Sequence, residues 1–120
     1  MNARLISFGT TPTKYRNKPT QVDGITFASL AEANRYRQLK LLRAHGAIRN
    51  LELQPIFPIV VNGAKVGKYS ADFRYERAGK GGAWTTVTED VKGFETAVFR
   101  LKAKLVLALY GVRIELVRGR

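Results

Sequence analysis

The chain has no cysteine, one histidine, and only nine Asp and Glu among its 120 residues. Without cysteine there is no disulfide and no thiolate zinc site, and a lone histidine rules out a histidine-rich metal centre. Any metal would therefore sit on oxygen ligands. Long apolar runs are missing too: the longest nearly apolar stretch, residues 105–112, falls far short of the ~20 residues that span a bilayer. Residues 1–20 lack the continuous apolar segment of a signal peptide, so an intracellular, cytoplasmic protein is expected.

Against the few acids stand 21 Lys and Arg, a formal net charge of +12. Such a balance calls for a polyanionic partner, and nucleic acid is the commonest, because each neutralised phosphate releases condensed counterions. An anionic membrane surface would want one basic amphipathic helix, whereas these charges are spread along the chain. A merely well-solvated surface is the remaining reading of the charge. An apolar fraction of 45% excludes intrinsic disorder. The length fits one domain that buries about two-thirds of its unfolded surface.

Residues 1–20, with Pro12, Pro19, Lys14, Arg16 and Lys18, read as a basic arm. Residues 22–27 look extended with a turn at Asp23-Gly24. Ser29-Leu30-Ala31-Glu32 fits a capping box, so a helix should run from there to Ala44, with Gly46 as its stop. Residues 51–61 form an edge or bent strand interrupted by Pro55 and Pro58. Asn62-Gly63 is a strong hairpin signal into the strand at 68–76, where Tyr69, Ala71, Phe73 and Tyr75 alternate with Ser70, Asp72, Arg74 and Glu76. After the glycine loop at 79–82, residues 84–92 place Val87, Glu89 and Val91 opposite Thr88, Asp90 and Lys92. Residues 95–110 form a helix with an expected apolar stripe of Val98, Leu101, Leu105 and Leu109. Gly111 ends it, and a short strand closes the chain at 112–117. The order helix, three strands, helix, strand predicts one α/β (α+β) domain over residues 21–120, with a central mixed sheet flanked by helices.

The acids that stand out are placed singly. Asp90 and Lys92 are two apart on a strand and share a face, and Asp72 lies on the polar face of the preceding strand. Two neighbouring carboxylates repel, and a divalent cation relieves that repulsion; an all-oxygen set suits Mg²⁺. Equally, both acids could lie on a solvated sheet face, with Lys92 as an ion-pair partner. Glu32 serves the capping box, yet its helical face is half apolar, where a carboxylate needs a partner. Gln54 could line a cleft or end a strand. Lys102 could reach phosphate or snorkel, and Thr96 and Arg100 could touch a DNA backbone or simply face water. His45 reads as a helix-end residue, and Tyr15, Tyr36, Tyr69, Tyr75 and Trp84 as packing residues.

Glu32 on the first helix, then Asp72, then Asp90-Val91-Lys92, resembles the PD-(D/E)xK nuclease superfamily, which includes Holliday junction resolvases and restriction endonucleases. Residues 27–36, 51–55, 69–75 and 89–102 resemble a small nuclease-like family carried by bacteriophages and prophages. Ala71 stands where the signature has proline. The resemblance implies a restriction-endonuclease-like domain and a Mg²⁺-dependent endonuclease in which Mn²⁺ could substitute. Asp72, Asp90 and Glu32 would form the acidic set, the Val91 carbonyl a further ligand, and Lys92 the group that positions the attacking water. It further implies branched or Holliday-junction DNA as substrate in phage recombination or replication, a homodimer, and a bacterial host cytoplasm. Lys14, Arg16, Lys18, Gln54, Thr96, Arg100 and Lys102 are the candidate DNA contacts. A non-catalytic architectural or packaging protein would explain the charge equally well, but not the order of the acids.

Overall fold

The computed structural model describes residues 18–119. A small hairpin comes first, β1 (Thr20–Val22) and β2 (Ile25–Phe27), turning at Asp23-Gly24 as the sequence predicts. Helix α1 (Leu30–Ala44) follows. Ser29 is its N-cap, its hydroxyl accepting from the Glu32 backbone N–H at 3.2 Å, which satisfies one of the helix's orphan donors. Ala33, Tyr36 and Leu39 form its buried face. Full burial of Leu39 alone contributes about 1.5–3 kcal/mol.

Strands β3 (Ile48–Leu53), β4 (Ile56–Val61), β5 (Ala64–Ser70) and β6 (Phe73–Ala78) are two long strands, each bent in the middle. The register runs unbroken through the bend: Leu53 pairs with Phe73 and Ile56 with Ser70. Between them the Gln54 N–H donates to the Asp72 carbonyl at 2.9 Å, and the Ala71 N–H to the Pro55 carbonyl at 3.0 Å. Strand pairing therefore starts at Ile48, earlier than expected, and the 51–61 strand is two segments hinged at Gln54-Pro55. The bend swings the β4–β5 hairpin out of the main sheet. Strand β7 (Trp84–Lys92) pairs antiparallel with β6, and β8 (Ile114–Arg118) pairs parallel with β7. The four-stranded sheet has the order β3-β6-β7-β8. Parallel pairing of consecutive strands needs a crossover, supplied by α2 (Ala97–Tyr110), which ends on Gly111 in the left-handed conformation.

The fold is thus the expected mixed α+β arrangement, and the apolar residues form two clusters. Phe27, Phe73 and Val87 pack beneath α1 against its Leu39. Phe57, Ile59, Tyr69, Phe99 and Val106 pack between the hairpin and α2. The hinge makes the second cluster possible, because it carries Tyr69 and Ala71 away from α1. The α2 stripe read from periodicity is corrected here. Val98, Leu101 and Leu109 are exposed, and the helix turns Phe99 and Val106 inward.

Candidate active site

The hinge places Asp72 where β5 gives way to β6, half-buried beside β7. Its carboxylate accepts the Val91 N–H at 2.8 Å. Burial raises its pKa above the ordinary carboxylate value, with the Val91 hydrogen bond and the Lys92 charge pulling the other way. Asp90 is 2% exposed, which excludes a solvated sheet face for it. The Tyr69 hydroxyl, brought over by the hairpin, donates to Asp90 Oδ2. Burial pushes Asp90 to about 6, against the opposing pull of Lys92 and a hydrogen bond from the Asp72 backbone. Lys92 Nζ lies 4.0 Å from Asp90 Oδ2 and 4.8 Å from the centre of the Phe99 ring. An ion pair and a ring face thus hold the ammonium beside the buried acid.

Glu32 enters from α1. Its burial, reinforced by the charges of Asp72 and then Asp90, pushes it up to about 7; a hydrogen bond from the Ala28 backbone and the Lys92 charge oppose the rise. Glu32 and Asp72 line one open cleft together with Thr26, Phe27 and Gln54. So Glu32, Asp72, Asp90 and Lys92, scattered over 61 positions of sequence, occupy one electrostatic neighbourhood. Among the described residues no three Asp, Glu or His groups converge as a ready-made metal cluster. Asp72 is turned to the Val91 amide and Asp90 to Tyr69. Even so, the hard oxygen donors of Glu32 and Asp72 at the cleft, with the Asp90 charge also acting on Glu32, suit a hard dication such as Mg²⁺.

A second buried acid escaped the sequence reading. Glu89 is 1% exposed on the α1 side of β7, where Arg35 Nε donates to its Oε2 at 2.7 Å and Arg35 Nη2 to its Oε1 at 3.0 Å. The Tyr75 hydroxyl adds a third bond at 2.6 Å. Buried next to that carboxylate, the Tyr75 phenol is pushed up to about 12. The signal was present: Glu89 alternates onto the face of Val87 and Val91, and a carboxylate there needs a cationic partner. Arg35 lies one turn beyond Glu32 on α1, so this fork fixes the helix against the strand that carries Asp90 and Lys92.

The profile of the DUF1064 family, described as a protein of unknown function, matches residues 12–117. The chain belongs to the DUF1064 family. No curated protein and no solved structure matches it. The DUF1064 match spans the whole acidic neighbourhood and both helices.

The remaining candidates divide. Gln54 lines the cleft, held there with φ 52° at the hinge. Thr96 caps α2, its hydroxyl accepting from the Phe99 N–H at 3.0 Å, and Arg100 donates to the Glu95 carbonyl at 2.9 Å. Lys102 is half-buried on the inward side of α2, between Phe99 and Val106. Lys18 is exposed. Lys14, Arg16 and Tyr15 lie outside the described residues. His45 caps α1, its ring 2.8 Å from the Leu41 carbonyl. No described helix is long and apolar enough to cross a membrane.

Proposed function

We propose that this DUF1064 chain is a Mg²⁺-dependent DNA endonuclease that hydrolyses phosphodiester bonds, selective for branched or junction DNA and acting as a homodimer. One observation carries the reading. A chain of net charge +12 gathers Glu32, Asp72 and Asp90 where burial raises the pKa of each and the charges of Asp72 and Asp90 raise Glu32 further, next to Lys92, with Glu32 and Asp72 lining a cleft. Surface charge on a basic protein would never need that arrangement, and perturbed acids at a cleft mark functional sites. The resemblance to the PD-(D/E)xK order supplies the reaction class.

Asp72, Asp90, Glu32 and the Val91 carbonyl would hold the cation. Bound there, Mg²⁺ supplies Lewis acidity at phosphorus and a lowered pKa for its water. Lys92 stands beside the acids to hydrogen-bond a phosphate oxygen and orient the attacking water, and the basic surface holds the polyanion against the cleft. Selection by shape is part of this reading because these 120 residues carry no helix-turn-helix or zinc-finger pattern. A junction with two cut sites suits a two-fold dimer.

The test is a paired assay of wild type and Asp90→Asn on a four-way junction and its linear duplex, in Mg²⁺ and in EDTA, scoring cleavage and gel-shift binding. Junction cutting that needs Mg²⁺ and disappears in Asp90→Asn with binding retained supports the proposal. Cutting of both substrates removes the shape selectivity. Binding without cutting in any divalent metal leaves a non-catalytic DNA-binding protein.

A further inference from the structure

The β4–β5 hairpin takes no part in the chemistry proposed above, beyond the Tyr69 hydroxyl at its base. Its inner face, Phe57, Ile59 and Tyr69, is covered by α2. Its tip is bare: Val60, Val61 and Val66 are 40%, 42% and 64% exposed around the Asn62-Gly63 turn. Val60 and Val61 are consecutive on β4 and point to opposite faces of the ribbon, so apolar side chains meet water on both faces near the tip, and burying them on a partner is favourable. Residues 56–70 contain no acid, and their charged side chains are Lys65 and Lys68, both exposed.

The edges of the hairpin argue against another chain adding a strand. Pro58 offers no N–H on β4, and the register shift between Ile59 and Val60 leaves Val66 as a bulge on β5. What remains is a narrow ribbon with an apolar tip and positive flanks. A two-stranded ribbon fits the DNA major groove, about 12 Å wide, where apolar side chains contact thymine methyl groups. From Tyr69, which touches Asp90, it is three residues of strand to Val66 and five to Ala64, the partner of Val61. At about 3.3 Å per residue that is about 10–17 Å, or about three to five base pairs at 3.4 Å each.

We infer that the β4–β5 hairpin is a DNA-contacting arm. It lays Val60, Val61 and Val66 into a duplex groove about three to five base pairs from the phosphate at Asp72 and Asp90, with Lys65 and Lys68 on the flanking phosphates. The inference rests on the nuclease reading for its partner, but it concerns binding alone and is tested in EDTA.

Two variants, Lys65→Ala/Lys68→Ala and Val61→Ser/Val66→Ser, alter exposed positions, so their melting curves should match wild type within about 0.5 kcal/mol. Wild type and both variants are titrated with a four-way junction over a salt series and footprinted with hydroxyl radicals. The lysine variant should bind about tenfold more weakly, and its log–log salt slope should be shallower by about 2, one unit per lost phosphate contact. Both variants should lose protection about three to five base pairs from the branch and keep it at the branch. Unchanged affinity and footprint overturn the arm. So does unchanged DNA binding accompanied by a changed sedimentation state, which would make the tip a protein contact. Wild type that binds none of these DNAs defeats the nuclease reading itself, a distinguishable result.

Discussion

Glu32 serves two masters at once. Its backbone N–H belongs to the Ser29 cap, while its side chain lines the cleft, where burial and two neighbouring carboxylates push it up to about 7. The two roles separate by substitution, because the Ser29 cap uses the main chain of residue 32 and Gln keeps a side-chain oxygen that can accept the Ala28 backbone hydrogen bond. Glu32→Gln should keep the melting temperature at or above that of wild type, since an unfavourable charge is removed, and should lower Mg²⁺-dependent cleavage by about 10–100-fold. Ser29→Ala should do the reverse, costing about 1 kcal/mol of stability with cleavage retained. Thermal melts and single-substrate rates on both variants check this; a Glu32→Gln protein that cuts like wild type reduces Glu32 to a helix-end residue.

At the scale of elements, the Arg35–Glu89 fork joins α1 to β7 and so sets how Glu32 meets the acids of the sheet. Glu89 is 1% exposed and Arg35 20%, so removing the arginine strands a buried charge. Arg35→Met should cost about 3–5 kcal/mol, a fall in melting temperature of about 4–8 °C per kcal/mol in a domain of this size. Removing both charges, in Arg35→Met/Glu89→Gln, should recover part of that loss, because the Tyr75 hydroxyl still has an acceptor. Calorimetry on the two singles and the double closes the cycle; strictly additive losses would mean the two side chains do not act as a unit. The elements themselves were largely legible. The Ser29 cap, the Asp23-Gly24 and Asn62-Gly63 turns and the Gly111 stop are local chemistry, and the chain obeys each. Alternation also put Asp90 and Lys92 on one face of their strand, and in the structure the two side chains lie 4.0 Å apart. Two features resisted for the same physical reason: periodicity names faces but not what covers them. Apart from Arg100, Lys102 and Lys104, helix α2 is apolar, so the spacing of Val98, Leu101, Leu105 and Leu109 is as regular as that of Phe99, Val106 and Tyr110. Only the position of the hairpin decides between them. Likewise period-2 alternation runs straight through Ala71-Asp72, and nothing local announces that the hinge there moves Tyr69 across to Asp90.

For the whole molecule, the buried acids set the pH dependence of stability. Asp90 at about 6 and Glu32 at about 7, with Asp72 also raised, hold their protons more tightly in the folded chain than in the unfolded one. Their contribution is therefore complete below the unfolded carboxylate range, near pH 4, and is lost as pH rises through about 6 to about 7. Self-repulsion within a chain of net charge +12 acts in the opposite direction, since deprotonation lowers the net charge. Exposed charges are screened beyond about 8 Å at 0.15 M salt, so at that salt the buried groups decide the sign. In EDTA the melting temperature should fall between pH 5 and pH 8. A cation that binds the deprotonated set should restore it, by about 2.7 kcal/mol at a hundredfold excess over its dissociation constant, with a large effect at pH 8 and little at pH 5. Asp90→Asn should show both a flatter pH profile and a smaller Mg²⁺ shift. Scanning fluorimetry over four conditions, two pH values with Mg²⁺ or EDTA, reads all of this without any DNA present. A melting temperature that climbs from pH 5 to pH 8 in EDTA would mean that the three carboxylates ionise at little cost in the fold, and the site would lose its electrostatic reason to bind a metal.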